Sequence, residues 1–182
     1  MTRLGVPGPA DDSPTPEGPT STTTTTTTAP PKPTPGDVPA GYQRVTGPAG
    51  MRTVIPTGWR TQRSSGPGAM QAVDPADADR YVKYGGSAAP LIAIETSHIR
   101  YENDFAVRAP DYRRLKLDSA TYGGHDAVEW EFEHRDGDGI LHVRSLYWRA
   151  DGKEYFVLVA APAARWTAAK PIYDTMIAHA TP

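Results

Sequence analysis

Cysteine is absent from the 182-residue chain, which excludes disulfides, thiolate metal sites and cysteine nucleophiles together. A chain without thiols is compatible with either side of a membrane. Long apolar runs are missing too. No window approaches the roughly eighteen apolar residues of a spanning helix, and the opening Met1-Thr-Arg-Leu-Gly-Val-Pro-Gly8 lacks the apolar stretch of a signal peptide. The expectation is a chain that inserts into no bilayer directly and, if complete, stays in the cytoplasm. Charge of one sign is also lacking. Setting aside Arg3 and Lys32 on one side and Asp11, Asp12, Glu17 and Asp37 on the other, the part from Tyr42 onward carries equal numbers of basic and acidic residues. That balance excludes the electrostatic footprint of a nucleic-acid or anionic-lipid binder and favours a monomer.

Aromatic residues are missing from the first part of the chain: every Trp, Tyr and Phe lies at Tyr42 or beyond. Such a segment cannot bury enough apolar surface to offset its ordering entropy. What it holds instead is Pro, Thr, Ser and Gly from Pro7 to Pro39, with Thr22 to Thr28 unbroken. Residues 1–40 therefore read as a disordered Pro/Thr-rich linker, the composition of an exposed and sometimes glycosylated stalk. At about 3.1 Å per residue it could reach on the order of 120 Å when extended. The rest, residues 41–182, holds all four Trp, nine Tyr and three Phe, enough for one independent core.

Within that part, Val128, Trp130, Phe132 and His134 alternate with Glu129, Glu131 and Glu133, the period of a half-buried strand. Asp136-Gly-Asp-Gly139 tolerates positive φ, and Ile140 to Arg149 resumes the β pattern, which predicts an antiparallel hairpin. After a second tight turn at Asp151-Gly152, the apolar run Tyr155 to Ala160 lacks alternation and reads as a central strand covered on both faces. Leu115 and Leu117 give another strand. Tyr42–Val45, Met51–Ile55, Met70–Val73 and Tyr81–Tyr84 are shorter candidates between Gly-Pro and Gly-Trp turns.

Two segments have helical spacing. From Pro90 to Phe105 the face is Leu91, Ile94, His98, Tyr101 and Phe105, with Pro90 in the first turn and Ser87 as a cap; a strand over Leu91–Glu95 is the alternative. From Pro162 to His179 the face is Trp166, Ala169, Tyr173, Met176 and Ile177, with Pro171 expected to kink or restart it. A sheet buried on both faces needs two covering layers, so the fold class expected is α/β (α+β): a mostly antiparallel sheet flanked by two helices, an α/β sandwich.

Chemistry-bearing motifs are few. His134-Arg-Asp136 matches the start of a protein-kinase catalytic loop, but the Asn position falls at Leu141 and no Asp-Phe-Gly follows. Asp136 and Asp138 imitate the opening of an EF-hand loop, yet the twelfth position is Tyr147 rather than Glu. Turn chemistry explains both aspartates. In the expected hairpin Glu133 faces His142 while His134 points to the other face, so the three cannot converge on a metal, and a surface carboxylate–imidazole pair is the better reading. His98 reads as a satisfied core histidine and His125 as a loop residue. No nucleophile elbow and no phosphate loop is present. Catalytic, cofactor-binding and metal residues are therefore each expected to be none, with no cofactor. Trp130, Phe132 and Tyr173 sit at core positions. Trp166 lies near an element end, and Trp59, Tyr122, His125, Tyr147 and Trp148 are the candidates for a ligand or partner surface, acting by stacking or apolar contact.

The residues Gly41-Tyr-Gln-Arg-Val45, Gly50-Met51, Val54-Ile-Pro-Thr-Gly-Trp59, Arg80-Tyr-Val82, Tyr112-Arg-Arg-Leu-Lys-Leu117, Thr121-Tyr-Gly-Gly-His-Asp-Ala-Val-Glu-Trp-Glu131, Trp166 and Pro171-Ile-Tyr-Asp174 carry a resemblance. In this order they are similar to the extracytoplasmic C-terminal domain of some actinobacterial receptor-type serine/threonine protein kinases. The resemblance covers nearly all of residues 41–182 and implies a PsbP-like α/β/α sandwich. It also implies a kinase domain, a membrane helix and a Pro/Thr-rich linker ahead of it in the parent receptor, and offers no catalytic residues for this part.

The function expected is thus a non-catalytic extracytoplasmic sensor that binds an unknown ligand or protein of the cell envelope. The alternative is a stand-alone PsbP-like accessory or binding protein with no kinase attached; a small hydrolase or isomerase ranks third.

Overall fold

The computed structural model describes residues 38–66 and 68–182, so the expected linker lies outside the described residues apart from Val38, Pro39 and Ala40. Strands β1 (Tyr42–Thr46) and β2 (Arg52–Pro56) form an antiparallel hairpin around a short 3-10 turn at Pro48–Gly50. The main sheet has seven strands: β3 (Arg60–Arg63), β4 (Ala69–Asp74), β5 (Asp77–Ala88), β6 (Arg113–Tyr122), β7 (His125–Asp136), β8 (Gly139–Ala150) and β9 (Lys153–Pro162). Their order is β3-β4-β5-β9-β8-β7-β6, and every neighbouring pair is antiparallel. Helix α1 (Ile94–Ala106) connects β5 to β6, and α2 (Trp166–Ala178) follows β9 through a 3-10 turn. No helix among the described residues is long and apolar enough to cross a membrane.

The apolar run expected to be central is β9, the middle strand of the seven. Tyr155, Val157, Val159 and Ala161 enter one core cluster with Ala169, Tyr173 and Met176 of α2 and with Met51 and Ile55 of the hairpin. Leu158 and Ala160 enter a second cluster with Trp130, Phe132, Val143 and, from α1, Phe105. Val157 and Val159 are fully buried, and burying each such side chain contributes about 1.5–3 kcal/mol. One face of the sheet is thus covered by α2 and the hairpin, the other by α1 lying over β6 and β7. The hairpin is tied to α2: Thr53 Oγ1 donates to Met176 O at 2.8 Å, and Arg52 exchanges backbone hydrogen bonds with Thr181.

Several sequence expectations are corrected. Strand β3 was not foreseen, because Arg60-Thr-Gln-Arg63 is exposed throughout and carries no apolar alternation. Strand β5 extends through Ser87 and Ala88, paired with Glu154 and Lys153, so Ser87 caps nothing and α1 begins at Ile94 rather than near Pro90. Leu91 is fully exposed before the helix, and the buried positions of α1 are Ile94, Ser97, His98 and Glu102, leaving Tyr101 outside. A register shift between Arg114 and Lys116 turns Leu115 outward while Leu117 stays in the core; this is a β-bulge. Helix α2 runs through Pro171 without restarting. Thr167 and Pro171 both lie on its exposed side, where water can serve the carbonyl that proline leaves without a donor.

Two glycines permit a close crossing at one end of the sheet. A Cβ on Gly85 would lie 2.0 Å from Gly68 O, and one on Gly68 would lie 2.5 Å from Gly86 O. Gly139, by contrast, has open space around it. Replacing Gly85 with Ala is therefore expected to lower stability by about 2 kcal/mol or more, while Gly139→Ala stays within about 0.5 kcal/mol of the parent. Urea unfolding of the two variants checks this, and equal midpoints would contradict the packing described.

Candidate functional site

Alternation along β7 sends Glu129, Glu131 and Glu133 to the α2 side, where β6 and β8 meet them with cations. Lys116 pairs with Glu129, and Arg144 Nε donates to Glu129 Oε1 at 2.7 Å. His142 Nε2 lies 2.7 Å from Glu131 Oε1 and its Nδ1 lies 3.1 Å from Glu133 Oε1, while Arg113 Nη2 donates to the other oxygen of Glu133 at 2.6 Å. The expected Glu133–His142 pair is present, but it is not a surface pair: His142 is 6% exposed and stacks on Trp166 with ring centroids 4.0 Å apart. Arg144 lies over the ring of Tyr173, 4.8 Å from its centroid. Burial works to raise the carboxyl groups of Glu129 and Glu133, but Lys116 and Arg144 for one, and Arg113 and His142 for the other, outweigh it and hold both below the usual range. The ladder is satisfied within itself and fastens the start of α2 to the sheet.

On the opposite side α1 buries a second polar set. Glu102 accepts from Tyr112 Oη and Arg114 Nε, each at 2.5 Å, and Tyr112 Oη accepts from Trp130 Nε1 at 3.2 Å. Arg149 Nε donates to Glu154 Oε2 at 2.8 Å, and its guanidinium also reaches Ile92 O and Ser97 Oγ, pinning the start of α1. His98 is fully buried between Tyr101 and Tyr147. Its Nδ1 donates to Ile94 O at 2.9 Å, leaving Nε2 without a hydrogen-bond partner and 4.0 Å from Glu154 Oε1. Burial pushes this imidazole below its ordinary value. The Ile94 carbonyl and Glu154 pull it up in part, and Arg149 pushes it down.

The five candidate surface residues are not brought together. Trp148 is fully buried and Trp59 is 6% exposed, both in the cluster beneath α2 and the hairpin. Tyr122 packs on Trp148, and its hydroxyl, with one proton to donate, lies 2.6 and 2.7 Å from Ile177 O and Ala180 O. Tyr147 faces the other side and stacks on Phe156, and His125 is exposed beside the β6–β7 turn. Trp148 was expected near an element end because Asp151-Gly152 follows it. Its position in the β8 alternation aims it inward. His134, Arg135 and Asp136 end β7; Arg135 pairs with Asp111, and Asp136 lies opposite Gly139 across the turn. Among the described residues no group of His, Asp and Glu is arranged to hold a metal ion.

A different feature has the shape of a binding site. A cleft of about 510 Å³ opens between the β1–β2 connection and the β3–β4 turn, lined by Thr46, Pro48, Arg63, Ser64, Ala69 and Met70. Two of its lining glycines pack closely against β5. A Cβ on Gly47 would lie 3.0 Å from the Tyr84 ring, and Gly68 O accepts from Gly86 N at 3.0 Å. Sequence reasoning missed it because the lining residues come from the ends of β1, β3 and β4 and the connections beside them, which no local pattern brings together; the glycines at 47, 66 and 68 were the available signal.

Residues 43–182 match the family described as serine/threonine kinase C-terminal domain. No curated protein matches the chain. Among solved structures the chain is similar to the cyanobacterial PsbP protein CyanoP from Synechocystis sp. PCC 6803, at 17% identity and a TM-score of 0.62, covering 84% of this chain and 99% of that one. It is also similar to LpqN of Mycobacterium tuberculosis, at 13% identity and a TM-score of 0.51, covering 77% of this chain and 90% of that one. These likenesses show the fold, a PsbP-like α/β/α sandwich.

The buried His98 sets a pH dependence. Its folded-state value lies below the unfolded value of about 6.5, so the unfolded chain binds more protons and stability falls as pH drops below that value. Urea midpoints at pH 7.5 and 5 should therefore differ more for the parent than for His98→Gln. The same pH slope in both would remove His98 as the cause.

Proposed function

Since the chain belongs to the serine/threonine kinase C-terminal domain family, we propose that it is the sensing domain that such a kinase holds outside the membrane, on the Pro/Thr-rich stretch of residues 1–40. The match over residues 43–182 carries this reading. A domain in that place transmits by binding: occupancy shifts the population of a state in which the attached module is active, by as much as the ligand prefers that state. Two further observations support it. The ion pairs of Glu102, Glu154 and the β7 glutamates are used in holding the helices to the sheet, as expected of a scaffold whose variable part is a surface or cleft. LpqN, described as involved in cell envelope biogenesis, shares the fold, in keeping with a ligand or protein partner of the envelope. The domain itself is read as non-catalytic, with phosphoryl transfer left to the kinase.

The location is measurable by cysteine labelling, because this chain contributes no cysteine of its own. Val107, 89% exposed at the end of α1, can be replaced by Cys in the intact kinase carrying this domain. A membrane-impermeant maleimide should then label whole cells about as fully as lysed ones, with the unsubstituted protein as the blank. Labelling that appears only after lysis would place the domain inside and end the receptor reading.

A further inference from the structure

Unlike Arg80, Arg113, Arg114, Arg135, Arg144, Arg149 and Arg165, which are each paired with a carboxylate, and like Arg60 and Arg100, Arg63 has a side chain without an ion pair or hydrogen bond among the described residues. It stands at the end of β3, opposite Met70 in the register, and lines the cleft between the β1–β2 connection and the β3–β4 turn. The other lining groups are the hydroxyl-bearing Thr46 and Ser64 and an apolar part from Pro48, Ala69 and Met70; no carboxylate lines it. At about 510 Å³ the cleft is within the range of small-molecule sites, roughly 300–1,000 Å³, so it has room for an organic body as well as a charged group.

From these features we propose that the cleft is a binding site for a small monocarboxylate bearing a compact apolar group. A guanidinium presents a planar fork of donors that matches a carboxylate in two parallel hydrogen bonds. Thr46 and Ser64 supply hydroxyls for the remaining lone pairs, and Pro48 and Met70 receive the apolar body. The single positive charge decides between anions: a monocarboxylate is matched by it, while a phosphate monoester, with a charge of about −1.5 to −2, would be left with an excess no other cation in the cleft meets. Gly68 O accepts from Gly86 N at 3.0 Å, which ties the Gly68 side of the cleft to β5.

This inference deepens the sensing role by naming the ligand class, and rests on it only for its purpose. Binding is therefore measured on the full 182-residue chain without the kinase, so its failure leaves the maleimide result standing. N-acetyl-leucine, N-acetyl-leucinamide and inorganic phosphate are titrated into labelled protein and followed by amide NMR shifts. The expected result is saturable shifts at Ser64, Ala69 and Met70 with the acid, and at least about tenfold weaker binding by the amide, the loss that goes with one charged hydrogen-bonded pair. Arg63→Gln, at an exposed position, should fold normally and lose the acid about as much, while Arg100→Gln on the exposed side of α1 should bind like the parent. Absence of saturable shifts, equal binding of acid and amide, tighter binding of phosphate, or an unchanged Arg63→Gln would each overturn the proposal.

Discussion

Strand β9 must be buried on both faces, and the remaining architecture follows from that requirement. Its odd-numbered side chains face one layer and its even-numbered ones the other, so neither side of the sheet can be left to water at its centre. The chain meets the demand asymmetrically. One side receives the C-terminal helix together with the β1–β2 hairpin; the other receives only α1, which lies towards the β6 and β7 end.

Each covering helix is then oriented by charge. The glutamates of β7, which alternation sends to the α2 side, find cations on both neighbouring strands and hold His142 against Trp166. On the α1 side Glu102 and Glu154 are buried only because Arg114 and Arg149 reach them; a buried carboxylate without such a partner is strongly unfavourable. The apolar surfaces determine that a helix packs on the sheet, and the ion pairs determine where along it.

Legibility followed the same division. Features set by local pattern could be read from the residues: the β7 alternation, the turn at Gly137 and Gly139, the apolar run of β9, and the facing of Glu133 and His142. Features set by distant partners could not. Glu102, outside the apolar face that the spacing marks on α1, is a core position because Tyr112 and Arg114 come from elsewhere. Leu115 reads as the partner of Leu117 until a bulge separates them, and β3 has no apolar period because it is an exposed edge. Trp148 looked available because a turn follows it, although the strand parity already aimed it inward. The cleft is the extreme case, being lined by residues of the β1–β2 connection and of β3 and β4 that lie apart in the chain.

The sheet order has a consequence in time. Neighbours β6, β7, β8 and β9 follow one another in the chain and can pair through short turns, but β5 meets β9 across the whole span of α1, β6, β7 and β8. During synthesis β5 therefore emerges well before the strand that completes its pairing, and β3, β4 and β5 keep one edge open until β9 has been made. Closure of so distant a contact is slow compared with a hairpin. The strands β6 to β9 pair through short turns, and the free edge of β9 is the surface on which β5 closes.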